Sequence, residues 1–335
     1  MSVIDVSGFS FSGKSAVYDL LSSSKSFYGF GRNFEFELLR APGGILDLRE
    51  ALTGENWSPV RSSDAIRKFL RLVANLGGNK TNIDRVTKLG NHYDYYFPNF
   101  TEISIQYVDN LVANKWSSFW PYAKFQYNLL EVINYKLLNN IGFSTHDNVY
   151  LSRLKSDEFD AYTGAYLKIL FPPHGNKLGQ TLVINNAFEP FNPSISLNLI
   201  KDSKSIIVDR DPRDIYLSAI ISSKQPGAGE GAAVVGKNVK DFINRFHIYR
   251  SAVVINDNPN VLRITFERLI KNYNQTLLEL IEFLNVEQSN FETQHTNFDI
   301  TRSMQNIGMW HELSDDSLIK DIKFIESELK DYCCN

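Results

Sequence analysis

The stretch Gly8-Phe9-Ser10-Phe11-Ser12-Gly13-Lys14-Ser15 decides how this chain is read. It fits the pattern G-x4-G-K-S, a loop that wraps an anion. Glycines let the backbone turn tightly and bring its N–H groups close to a phosphate. Before the loop, Met1 to Val6 is short and apolar and ends in Ser7-Gly8, which predicts a strand. After it, Ala16 to Leu21 predicts a helix, whose N-terminal dipole end favours an anion. Lys14 adds a mobile positive charge. Strand, glycine loop and helix form one βα unit of a parallel sheet. The alternative is a Ser/Gly linker that happens to contain a lysine.

Further along, Phe34 to Leu39 predicts a second strand, punctuated by Pro42-Gly43-Gly44. From Asp64 to Asn140 the apolar residues recur at helical spacing, as in Ile66, Phe69, Leu70 and Val73. Trp116, Phe119, Trp120 and Tyr122 gather there, either as the core of that region or as a platform for a ring. The span 64–171 therefore reads as a mainly helical insertion in one domain covering 1–335. Thr181-Leu182-Val183-Ile184, Ser205-Ile206-Ile207-Val208 and Val261-Leu262-Arg263-Ile264 predict buried strands. Helices are expected over Asp214–Ile221, Val239–Val254, Leu269–Leu284 and Asp315–Leu329, with a mobile Gly/Ala loop over Gln225–Gly236. Strands alternating with helices give an α/β fold, a three-layer sandwich around a mostly parallel central sheet.

Composition narrows the function. The 335 residues carry 35 Lys and Arg against 38 Asp and Glu, a net charge of −3, so no global basic field draws the chain to nucleic acid. No apolar run reaches the length of a membrane span, and Met1 to Leu21 lacks the pattern of a signal peptide. The two cysteines, Cys333 and Cys334, are adjacent and poorly placed to pair. No Cys/His cluster has metal-ligand spacing. These features predict a soluble, cytoplasmic protein. Asn79-Lys80-Thr81 fits a glycosylation pattern but reads better as a polar turn.

A second motif follows the Ser205–Val208 strand: Asp209-Arg210-Asp211-Pro212-Arg213-Asp214, then Ser218. Arg210 falls at the strand's C-terminal end, where open α/β sheets place their ligand crevice. Pro212 suits the first turn of a helix. Ser218 lies in the early turns of that helix, so a guanidinium and a hydroxyl can meet at one phosphate. The alternative is a surface turn whose charges pair locally.

These two segments resemble sulfotransferases that use 3′-phosphoadenosine 5′-phosphosulfate (PAPS). Ser12-Gly13-Lys14-Ser15-Ala16 is similar to the family's 5′-phosphosulfate loop. Arg210 and Ser218 are similar to its 3′-phosphate segment. Asn306-Ile307-Gly308-Met309-Trp310 resembles its closing loop, with Arg302 as a basic member. The resemblance implies a P-loop-type α/β fold, transfer of a sulfuryl group to an acceptor hydroxyl or amine, and no metal. It implies that Lys14 stabilises the leaving 5′-phosphate and that Ser15 and backbone N–H groups hold it. The acceptor is a small molecule or a carbohydrate, and the oligomeric state is left open.

The base departs from the family's commonest pattern. Val183-Ile184-Asn185-Asn186-Ala187-Phe188-Glu189 has no histidine where small-molecule members carry one. Heparan-type members use a glutamate after the first helix, and Glu35 and Glu37 lie there, in phase on the predicted strand. Burial is expected to raise the basicity of one of them. The alternative puts both on the wet face of an edge strand. His174 and Glu189 are the reserves. His92, His146, His247, His295 and His311 have no ligand spacing. Two other readings stay open. One is a P-loop kinase or NTPase using ATP and Mg²⁺, with Asp209 on the metal. The other is a nucleotide-binding module without catalysis.

Overall fold

A computed structural model describes residues 2–77, 93–118, 120, 122–126, 129–140, 147–171, 179–225, 229–255, 257–291 and 298–334. His92, His146, His174, His295, Phe119 and Asn79-Lys80-Thr81 lie outside the described residues. Contacts divide the chain into two compact units, one of residues 1–39 with 173–335, the other of 40–172.

The strands in chain order are β1 (Val3–Gly8), β2 (Phe27–Gly29), β3 (Asn114–Ser118), β4 (Asp147–Leu151), β5 (Thr181–Asn185), β6 (Ser203–Asp209) and β7 (Val261–Thr265). The first unit holds a parallel sheet in the order β2-β5-β1-β6-β7. Every residue of β1 is buried, so both faces of the sheet are covered, as expected of an α/β fold. On one face Val6, Val183, Ile206, Val208 and Ile264 pack with Val17, Leu20 and Leu21 of the helix Lys14–Ser22 and with Leu269 and Leu280. Register fixes what meets at the sheet's upper edge. Val6 pairs with Asn185 and Gly8 with Val208. The loop after β1, the turn after β5 and Arg210 after β6 therefore emerge side by side.

The second unit is mostly helical, with the antiparallel pair β3–β4 among the helices. Its core includes Phe69 and the stacked rings of Tyr107 and Tyr166, whose centroids are 4.4 Å apart. Trp120 is buried under the Arg67 guanidinium, while Trp116 and Tyr122 are exposed.

Three expectations are corrected. Phe34 to Leu39 is not a strand: the edge position belongs to β2, which pairs with β5 over Phe27–Gly29. Phe34, Phe36 and Leu38 are buried in alternation, and the Phe36 N–H donates to the Asn185 carbonyl at 3.0 Å, but no ladder with a strand is formed among the described residues. Alternation reports which side chains face inward, not whether a partner strand exists. Within Gln225–Gly236, Gly229–Val235 is a helix. Gly231 has no room for a Cβ against the Ala219 carbonyl, so this glycine serves close helix packing. The helix expected over Leu269–Leu284 is two, Phe266–Lys271 and Tyr273–Leu284, broken at Asn272.

Candidate functional site

The glycine loop is built by steric necessity. A Cβ on Gly8 would lie 2.5 Å from the Val208 carbonyl, so only glycine lets β1 and β6 close together there. Gly13 has φ 83°, in the left-handed region, and caps the helix Lys14–Ser22. A Cβ on Gly13 would overlap the Phe266 ring, with its Cγ at 2.8 Å. Phe266 follows β7, so tertiary packing holds the loop in place.

Gly13, Ser15 and Ala16 line a cleft of about 420 Å³, together with Asp19, Arg32, Arg210, Phe266, Phe298, Arg302 and Asn306. The volume suits a nucleotide-sized ligand. Ser12 lies behind this surface, its hydroxyl buried without a partner among the described residues.

Arg210 is only 6 % exposed. Its Nη1 donates to the Phe11 carbonyl at 2.8 Å and to Ser218 Oγ at 3.1 Å. Its Nη2 donates to the Asn306 carbonyl at 2.6 Å. The guanidinium lies over the Phe266 ring, and its Nε is buried without a partner among the described residues. Burial lowers its pKa against the pull of Asp214, Glu267 and Asp211.

The neighbouring side chains do other work. Asp214 accepts the N–H groups of Gly308 and Met309 at 2.9 and 3.0 Å, pinning the loop that carries Asn306. Burial raises Asp214 to about 6, against those two bonds and the charge of Arg210. Arg213 turns away from the cleft to Asp211, Glu326 and the ring of Trp310.

Lys14 points to Glu35, Nζ to Oε1 3.1 Å. Glu35 Oε2 accepts from Asn186 Nδ2 at 2.9 Å. Burial pushes Glu35 up, but the Lys14 charge and hydrogen bonds from Asn186, Lys14 and Glu37 outweigh it and hold the carboxyl below its ordinary value. The expected rise in basicity is thus reversed here. His247 and His311 are exposed.

The structure thus brings Gly13, Ser15, Ala16, Arg210, Arg302 and Asn306 to one cleft, with Ser218 bonded to Arg210 on its wall and Gly308 bonded to Asp214 outside its lining. Lys14, Glu35 and Glu37 form a separate cluster of charge at the loop. Sequence reading missed Phe266, Phe298, Asp19, Arg32 and Asn186. Nothing local marks Phe266 or Phe298, because residues distant in the chain make them lining residues. Asp214 stood within the quoted motif, but its partners lie some ninety residues away.

No family model matches the chain, and no curated protein matches it in sequence. Several solved structures are similar to it. One is a sulfotransferase domain from the curacin biosynthetic pathway, 14 % identical, covering 98 % of this chain and 97 % of that one, with a TM-score of 0.40. Another is retinol dehydratase in complex with androsterone and the inactive cofactor PAP, 12 % identical over 100 % and 82 %, TM-score 0.36. A third is a sulfotransferase from Mycobacterium tuberculosis, 9 % identical over 92 % and 76 %, TM-score 0.36. Likeness at this level does not carry a function over, so the chain's own side chains have to.

Proposed function

We propose that this chain is a PAPS-dependent sulfotransferase, one domain with a helical elaboration at 64–171, which moves a sulfuryl group to a hydroxyl or amine of a small-molecule or carbohydrate acceptor. One observation carries the reading. Arg210 is a buried guanidinium on the wall of the cleft that Gly13, Ser15 and Ala16 also line. Its hydrogen-bond partners are two carbonyls, a hydroxyl and a thioether, none of them a carboxylate. A buried cation of this kind favours an anionic ligand. A donor with a phosphate at each end of one nucleoside fits a cleft with the glycine loop at one wall and Arg210 and Arg302 at another. Arg210 Nε and the Ser12 hydroxyl, without partners among the described residues, leave polar capacity for it.

Bound PAPS supplies the transferable sulfuryl group, and the chain's residues position and neutralise. Gly13, Ser15 and the first N–H groups of the helix hold the 5′ end. Arg210 and Ser218 hold the 3′-phosphate, under the loop pinned by Asp214. Lys14 stabilises charge on the leaving oxygen. When Lys14 swings to that oxygen, Glu35 loses the cation that depresses it, and burial then favours its taking a proton from the acceptor. The chemistry needs no metal in this reading. Asp209, which an ATP–Mg²⁺ enzyme would use, is instead paired with Arg250 at 3.0 Å. We place the protein in the cytoplasm on its two free thiols, and no helix among the described residues is long and apolar enough to cross a membrane.

A binding module without turnover draws on one observation, the Lys14–Glu35 pair that keeps the carboxylate a weak base. Ligand-induced thermal stabilisation tests the first half of the proposal. Adenosine 3′,5′-bisphosphate at a hundredfold its Kd should add about 2.7 kcal/mol, and ATP–Mg²⁺ far less. The reverse ranking overturns the sulfotransferase reading. Transfer of labelled sulfuryl from PAPS to a panel of hydroxyl and amine acceptors then separates enzyme from module.

A further inference from the structure

The segment that carries Glu35 is irregular, yet it is held at three points by two consecutive residues, Asn185 at the end of β5 and Asn186 just after it. Asn185 Nδ2 donates to the Arg32 carbonyl at 2.9 Å, and the Asn185 carbonyl accepts the Phe36 N–H at 3.0 Å. Asn186 Nδ2 donates to Glu35 Oε2 at 2.9 Å. Asn186 has φ 56°, a left-handed conformation that asparagine tolerates better than most residues. Its N–H continues the ladder to the Val6 carbonyl at 2.9 Å, which places it beside the start of the glycine loop.

That turn is itself clamped from beneath. Asp5, fully buried in the middle of β1, accepts the N–H groups of Ala187 and Phe188 at 2.9 and 3.1 Å. The hydroxyls of Ser7 and Ser205 also donate to it. A buried carboxylate of a central strand thus fixes two residues of the turn. The Oδ1 atoms of Asn185 and Asn186 are both buried without a partner among the described residues, a cost that two apolar residues would avoid.

We infer that Asn185 and Asn186 are positioning residues that set Glu35 against Lys14, with Asp5 as the buried anchor of their turn. This deepens the sulfotransferase reading and rests on it for the role of Glu35. The groups that act on the Glu35 carboxyl include Lys14, Glu37 and the Asn186 amide. Removing the amide takes away a donor that favours the charged carboxylate, and an aspartate in its place adds a like charge.

The experiment is a carbon-13 NMR titration of the Glu35 carboxyl in the full chain, assigned with Glu35→Gln. The variants are Asn186→Gly, which keeps the left-handed backbone, Asn186→Asp and Asp5→Asn. The Glu35 midpoint should rise by roughly one pH unit in Asn186→Gly and further in Asn186→Asp. Asp5→Asn should raise it too, if that variant folds. Turnover with PAPS should fall in Asn186→Gly while affinity for adenosine 3′,5′-bisphosphate stays within twofold. A Glu35 midpoint unchanged in both Asn186 variants overturns the inference. Shifted midpoints in a chain whose wild type transfers no sulfuryl group uphold the positioning and sink the sulfotransferase reading instead.

Discussion

Asp214 holds Gly308: its Oδ2 accepts the Gly308 N–H at 2.9 Å. Arg210, Arg213 and Asp214, at the start of one helix, all grip the segment 306–310, through the Asn306 carbonyl, the Trp310 ring and the Gly308 and Met309 N–H groups. Asp214→Asn leaves one acceptor oxygen for two donors. The amides of Gly308 and Met309 should exchange with deuterium faster, and bisphosphate binding should weaken by about 1–3 kcal/mol. Unchanged exchange at both amides would show that the loop is held by other contacts.

Arg210→Ala should weaken adenosine 3′,5′-bisphosphate binding by about 1.5–3 kcal/mol and leave a 3′-dephosphorylated analogue nearly unaffected. Arg210→Lys keeps the charge but not the planar fork, and should fall between the two. Calorimetry with both ligands decides it. Equal losses for both ligands would remove Arg210 from the 3′-phosphate site.

Gly13→Ala should destabilise the fold by about 1–3 kcal/mol, because it meets a left-handed φ and the Phe266 ring together. Chemical denaturation measures the loss. Adding Phe266→Leu should recover the steric part and leave the backbone part. Complete recovery would mean that φ carries no cost here.

Lys14→Ala should lower turnover more than it raises the apparent KM for PAPS, since charge on the leaving oxygen develops only in the transition state. Glu35→Gln should lose on the order of 10²–10⁴ in turnover with bisphosphate affinity intact. Glu37→Gln should lose far less, because Glu35 holds an ion pair with Lys14 at 3.1 Å. If Glu35→Gln turns over normally, the base lies elsewhere, with Glu189 and His174 next to be changed.

Asp5 gives the protein a pH signature. Burial raises it from 3.8 to about 6, against its hydrogen bonds to Ser205, Ser7, Phe188 and Ala187. The folded chain therefore binds this proton more tightly than the unfolded chain. Its stabilising contribution is full below pH 4 and is lost as pH rises through about 6, at most about 3 kcal/mol in all. Urea unfolding of wild type and Asp5→Asn between pH 4 and 7 should show curves that converge toward the higher pH. Parallel curves would mean that Asp5 titrates alike in both states.

Local chemistry made much of this protein legible from its sequence. A β-branched run such as Ile206-Ile207-Val208, bounded by polar residues, makes a buried strand almost wherever it occurs. Gly8 and Gly13 free the backbone for a tight turn and Pro212 restricts it, by local sterics that need no partner. Those features settled the α/β fold and directed attention to Lys14, Arg210 and Ser218. Pairing and proximity were a different matter. Phe34 to Leu39 alternates like a strand, but β2 already holds the sheet edge, and hydrogen bonds form only where a neighbour's ladder is open. The basicity of Glu35 turns on a cation one helix away and an amide some 150 residues on. The wall of the cleft is made by Phe266 and Phe298, and the grip on residues 308–310 by Asp214 and Arg213. Each is an ordinary side chain whose role comes only from what the fold brings within reach. Sequence fixes backbone preference and burial, which are local energies. The tertiary structure decided which charges meet, because electrostatic and hydrogen-bond energies depend on distances that the chain order does not contain.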